Sequence, residues 1–110
     1  MNIKIVVGRL GKDPEVTYSG AGTPVAKFSV ATNEREKDDS GNWVDVAEWH
    51  DCVAFGKTAD FIGQHFSKGS SIAIQGRQKT RNWTDKEGQK RYRTECIVDR
   101  ASFAGGKGDG

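Results

Sequence analysis

Two cysteines, two histidines, two prolines and one methionine are all that 110 residues contain of those types. A structural zinc site needs four Cys or His ligands at short, characteristic spacing. Cys52 and Cys96 have no CxxC partner and His50 and His65 stand apart, so no metal ligand set is expected, and no cofactor. His50, Asp51 and Cys52 do adjoin, but neighbouring residues of a strand point to opposite faces and cannot converge as base, orienter and nucleophile. No catalytic residues are assigned, and an enzyme is not expected. The two cysteines read as small core residues in a reducing compartment rather than as a disulfide.

Long apolar runs are missing too. Nothing approaches the roughly 20 residues of a membrane helix, and the apolar part of MNIKIVVGRLGK is too short for a secretory signal. The expected location is the cytoplasm, with no membrane partner. Only 35% of residues are hydrophobic and the mean hydropathy is −0.69, while 14 glycines suit a turn-rich β fold. The net charge of +2 conceals an asymmetry. Residues 1–56 carry 6 Lys+Arg against 9 Asp+Glu, whereas residues 57–93 carry 9 against 3, which suggests a face turned toward a polyanion.

Alternation places the strands. Ile3, Ile5 and Val7 give an opening strand one apolar face, and a short bridge follows at residues 16–18. Residues 25–33 alternate again, with Phe28 and Val30 as core candidates, and the charged EREKDDSGNW reads as the tip of a long hairpin. In Trp43–Phe55 three rings, Trp43, Trp49 and Phe55, stand six positions apart and share one parity; Val44, Val46, Cys52 and Ala54 occupy the other and are expected to face the core. Thr58 is the expected cap of the one helix, which carries Phe61, Ile62, His65 and Phe66 and ends at Gly69. In residues 71–83, Ile72 and Ile74 oppose a row of Arg77, Lys79, Arg81 and Trp83. The turn TDKEGQ leads to Lys90–Phe103, where Arg91 and Arg93 share a parity with Glu95.

The order is three strands, a helix and two strands: an all-β domain with small α content, a five-stranded Greek-key barrel of oligonucleotide-binding type with one helix between strands three and four. It is expected to fill residues 1–103, with 104–110 as a disordered tail.

An aromatic row is as readily buried as exposed, and a basic strand face is often only solvated. Together they match what an unpaired nucleic-acid strand needs, cations along a groove and flat faces for bases. Arg77, Lys79 and Arg81 follow one another at about 6.6 Å by strand rise. Candidate contacts are Trp43, Trp49, Phe55, Lys57, Arg77, Lys79, Arg81, Trp83, Arg91 and Arg93.

GRLGKDPE at residues 8–15, residues 25–33, EWH at 48–50, FGK at 55–57, KGS at 68–70, and Gly76, Arg77, Thr80, Arg81, Trp83, Thr84 and Asp85 in order resemble the bacterial single-stranded DNA-binding protein family across residues 1–103. The resemblance implies an oligonucleotide-binding domain that usually forms a homotetramer, a dimer being the alternative. It would coat single-stranded DNA without sequence preference in replication, recombination and repair, in the bacterial nucleoid or a phage-infected cell. It also implies that Trp49, Phe55 and Trp83 stack on bases and that His50 lies near a subunit contact. Two departures stand out. Glu36 occupies a hairpin position that is aromatic in many members, with Trp43 on the far arm instead. The family's acidic C-terminal tip, which recruits replication and repair proteins, is absent from this chain, as in a tail-less phage-type member or a shortened chain. The competing reading is a primosomal or other protein-interaction adaptor on the same barrel, with DNA contact secondary.

Overall fold

Seven elements follow one another in a computed structural model that describes residues 1–105: β1 (Lys4–Leu10), β2 (Glu15–Tyr18), β3 (Pro24–Lys37), β4 (Trp43–Phe55), α1 (Gly56–His65), β5 (Ser71–Thr84) and β6 (Lys90–Phe103). The expected tail at 104–110 lies largely outside the described residues. The strands form one sheet in the order β1-β5-β6-β4-β3-β2, and a β1–β3 pairing, Arg9 opposite Ala31 and Leu10 opposite Val30, closes five of them into a barrel. β4 and β6 run parallel at Cys52–Cys96, Val53–Ile97 and Ala54–Val98; the other pairings are antiparallel. The five-stranded barrel with its single helix is therefore as the sequence implies, and the expected bridge at residues 16–18 is a short extra strand on the edge of β3.

Val6, Leu10, Phe28, Val30, Cys52, Ala54, Ile72, Ile74, Cys96 and Val98 fill the barrel, and Ala59, Ile62 and Phe66 of α1 and its exit close it. Fully burying an aliphatic side chain contributes about 1.5–3 kcal/mol. The buried set stops partway along each hairpin. β3 and β4 pair over 13 positions, from Val25–Phe55 to Lys37–Trp43, yet the core uses β3 only as far as Val30 and β4 only from Cys52. The outer halves of the β3–β4 and β5–β6 hairpins reach past the core as two-stranded arms.

That overshoot corrects one expectation. Val44 is exposed and Val46 only partly buried, because parity assigns a face but cannot say where a strand leaves the barrel. β1 presents its apolar parity outward. Val6 and Leu10 point into the core, while Ile3, Ile5 and Val7, the more apolar parity, are exposed.

Both arms end in the same turn. In DDSGN, Asp38 N–H donates to the Asn42 carbonyl, and Asp38 Oδ1 accepts from the N–H groups of Ser40 and Asn42. In DKEGQ, Asp85 repeats these contacts with Gln89 and Glu87. A short carboxylate that satisfies the turn's own amides explains an ordered tip in so polar a segment.

The helix starts three residues earlier than a Thr58 cap implies. Phe55 is its N-cap residue with no side-chain cap, and Gly56, at φ +63°, turns the chain from strand to helix. That angle is in the left-handed region where glycine is favoured. Thr58 lies inside the helix and is not its cap. At the other end Phe66 is already extended and Gly69 belongs to the following turn.

Candidate nucleic-acid interface

Register builds the site. On the outer face of the barrel Val25 stands opposite Phe55 and Lys27 opposite Val53; Val53 in turn neighbours Ile97 across the parallel β4–β6 pair. Across β5–β6, Arg77 stands opposite Ile97, Lys79 opposite Glu95, Arg81 opposite Arg93 and Trp83 opposite Arg91. Side chains directly opposed across paired strands share a face. A cavity of about 280 Å³ opens there between Lys27, Phe55, Arg77, Lys79, Arg81 and Glu95, over the apolar side chains of Val25, Val53 and Ile97. A second cavity, about 270 Å³, adjoins it toward Lys12, Ser29, Asp51 and Arg93 and shares Lys27 and Glu95 with the first. The two make one groove across β3, β4, β6 and β5.

Trp49, Phe55 and Trp83 are each about half exposed, as a ring is when one side rests on protein and the other meets solvent. Trp49 rests on Gly11, where an added Cβ would lie 2.3 Å from the indole ring. Glycine thus makes room for the indole. Phe55 lines the groove, and Trp83 lies two residues beyond Arg81 on the β5–β6 arm, lining a separate hollow with Lys90 and Tyr92.

Trp43 is at the tip of the other arm. Lys37 Nζ sits 5.3 Å from its ring centroid, a cation–π contact that occupies one ring face. Lys57 is also apart from the groove, lining a separate hollow with Thr58, Phe61 and Arg100.

The cations divide into two kinds. Arg77, Lys79 and Lys27 make no ion pair among the described residues. Arg81 donates from Nε to Glu95 Oε1 at 2.7 Å, Arg91 donates from Nε to Asp85 Oδ2 at 2.9 Å, and Arg93 Nη2 lies 3.4 Å from Asp51 Oδ2. The amide of Gln89, followed by the Arg91 guanidinium, holds the Asp85 carboxyl below its ordinary pKa. Arg81, Arg91 and Arg93 are therefore not the free charges that their spacing implied. Glu95 is the reason in the middle of the groove, since it lies beneath two arginines that would otherwise face each other unscreened.

His50 is on the opposite face, opposed to Val30, with Nε2 3.1 Å from Thr32 Oγ1. Burial first, and Lys4 second, hold its imidazole below the ordinary histidine pKa, favouring the neutral ring at neutral pH. Burial, and then the neighbouring Cys96, push the Cys52 thiol up to about 12, and burial raises Cys96 as well. Neither thiol is a nucleophile at neutral pH. Among the described residues no cluster of three His, Cys, Asp or Glu could hold a metal, and no helix is long and apolar enough to cross a membrane.

Sequence reading missed Lys12, Asp13, Glu15, Lys27, Asp51 and Glu95 as groove residues. Lys27 shows the right signal, a cation on the parity opposite Phe28, but only the strand order reveals that it lies across the groove from Arg77.

Residues 1–104 match the single-strand binding protein family. The chain is 44% identical over 110 residues to single-stranded DNA-binding protein 1 of Xylella fastidiosa (strain 9a5c), covering 99% of this chain and 81% of that protein. It is 41% identical over 111 residues to single-stranded DNA-binding protein 1 of Chlorobaculum tepidum, covering 100% of this chain and 68% of that one.

Proposed function

The chain belongs to the single-strand binding protein family and binds single-stranded DNA, and we propose that it does so along the outer groove, with bases stacked on Trp49, Phe55 and Trp83 and phosphates met by Lys27, Arg77 and Lys79. The function is binding, not catalysis. The observation that carries the site is the register that sets the half-exposed Trp49, Phe55 and Trp83 on the same outer face as Lys27, Arg77 and Lys79, with Phe55 and these cations lining an apolar hollow. Stacking on aromatic faces is sequence-tolerant because every base has a π-face, which suits a protein that coats any exposed strand.

Such coating melts hairpins by mass action and shields the strand from nucleases during replication, recombination and repair. Arg81, Arg91 and Arg93 add a positive wall, partly neutralised by their own carboxylates, and Lys57 and Trp43 act only at its margins. Titration with oligo(dT) should quench the tryptophan fluorescence. An unchanged emission at saturating oligonucleotide would reject stacking.

Self-association is part of the reading, with a homotetramer in the cytoplasm as its working form. Ile3, just before β1, and Ile5 and Val7 on it support it: three exposed aliphatic side chains in a row, with Ile5 67% exposed, form an apolar strip of the kind that marks an interaction site. His50, partly buried, shares a face with Glu34 and Glu48, and a subunit contact there is part of the proposal. Ile5→Glu should lower the mass seen by light scattering. An unchanged mass would remove β1 from the interface.

A further inference from the structure

Asp13, Glu15, Asp51 and Glu95 line a groove that receives a polyanion, and the last two hold its arginines in different ways. Glu95 is 3% exposed and accepts a 2.7 Å hydrogen bond from Arg81 Nε. Its other oxygen lies 3.7 Å from Arg93 Nε. Asp51 is 41% exposed, accepts a 3.2 Å hydrogen bond from Ser29 Oγ, and faces Arg93 Nη2 at 3.4 Å. The two Arg93 contacts are longer than a good N–H···O hydrogen bond. Arg81 is tied down, whereas Arg93 rests loosely between two carboxylates.

Arg81 and Arg93 are direct partners across β5–β6, an arrangement in which like charges repel. Glu95 relieves that repulsion from below and is too buried for a phosphate to take its place. Asp51 is different. It stands at the rim, and a phosphate offers the Arg93 guanidinium the same kind of acceptor oxygens in a geometry that favours two parallel bonds.

We propose that Asp51 is a displaceable competitor for Arg93: it holds the guanidinium in the free protein, an incoming phosphate replaces it, and the exchange lowers both the affinity and the salt sensitivity of the groove. Glu95 is the positioning residue that keeps Arg81 and Arg93 aimed in both states. The inference rests on the groove being the DNA site. An exposed ion pair is weak, so the exchange is nearly balanced and Arg93 is released readily. Because Asp51 regains a solvent cation when Arg93 leaves, the wild-type contact contributes little to the net release of counterions.

The test is a set of oligo(dT) titrations over several salt concentrations on the wild type, Asp51→Asn, Arg93→Gln and the double variant. Asparagine keeps an oxygen for Ser29 and removes only the charge. Asp51→Asn should bind about 2- to 5-fold tighter at low salt, the range set by an exposed pair. The slope of log affinity against log salt should steepen by about 0.7, the value of one further phosphate contact on a single strand. Both changes should vanish in the Arg93→Gln background. Equal tightening with and without Arg93 would mean that Asp51 simply repels the strand, and would overturn the proposal. So would an Asp51→Asn protein that binds like wild type or more weakly. If Asp51→Asn melts early, Asp51→Ser takes its place with the same expectations. Trp49→Ala and Trp83→Ala separate the two levels. If both bind like wild type, the groove reading falls and takes this inference with it; if they weaken binding while Asp51→Asn is neutral, only the inference falls.

Discussion

Trp49→Ala should weaken oligo(dT) binding by about 1–3 kcal/mol, and Trp83→Ala by a similar amount, the range found when a stacking ring is removed from under a base. The two rings reach this by different routes. Trp49 is pre-set: its indole lies on Gly11 and Ala31 stands opposite it across β3–β4, so little side-chain freedom remains to be lost when a base arrives. Trp83 projects from the β5–β6 arm with Arg91 as its cross-strand neighbour, and Arg91 is itself anchored on Asp85 of the turn. Trp43→Ala should stay near wild type, because Lys37 already occupies one face of that ring at the tip of the other arm. Equilibrium titration of the three variants at one salt concentration checks the ranking. A loss for Trp43→Ala equal to that for Trp49→Ala would show that the strand runs out along the β3–β4 arm.

Parity makes much of this face legible in the sequence. Trp49, Phe55, Arg77, Lys79, Arg81 and Trp83 could be sorted to the side away from the core because a strand alternates with period two. The barrel order could be read in the same way, since three strands, one helix and two strands fit few architectures. Period two says nothing about two other matters. It does not report where a strand stops being part of the barrel, so Val44 and Val46, which parity assigns to the core face, lie on an arm beyond it. Nor does it report what sits across from a residue. Lys27 joins the groove, and Arg81, Arg91 and Arg93 acquire carboxylate partners, only through the pairing of β3 with β4, of β4 with β6 and of β5 with β6. The exposed Ile3, Ile5 and Val7 follow the same logic in reverse: an apolar parity marks a surface to be covered, and the covering group need not belong to the same chain.

Charge pairing also fixes how binding should respond to salt. On a single strand each phosphate neutralised contributes a slope of about −0.7 to log affinity against log salt. Were all six cations marked in the sequence free to bind, Lys57, Arg77, Lys79, Arg81, Arg91 and Arg93, the slope for one protomer would approach about −4. The apolar hollow instead offers Lys27, Arg77 and Lys79, which make no ion pair among the described residues, while Arg81, Arg91 and Arg93 are already neutralised within the protein. The expected slope is then about −2, and affinity should fall on the order of 20-fold between 50 and 200 mM salt. Oligonucleotides short enough to engage a single protomer provide the measurement. A slope near the steeper value would mean that the Arg81–Glu95 and Arg91–Asp85 pairs open when DNA arrives. That is hard to reconcile with Glu95, since uncovering a buried carboxylate by removing its hydrogen-bonded guanidinium leaves an uncompensated charge under the strand. A flat response would reject the groove as the phosphate track altogether. Lys79→Gln separates these cases at a single position: it should reduce the slope by about 0.7, whereas Arg91→Gln should leave the slope in place and instead loosen the turn that Asp85 organises.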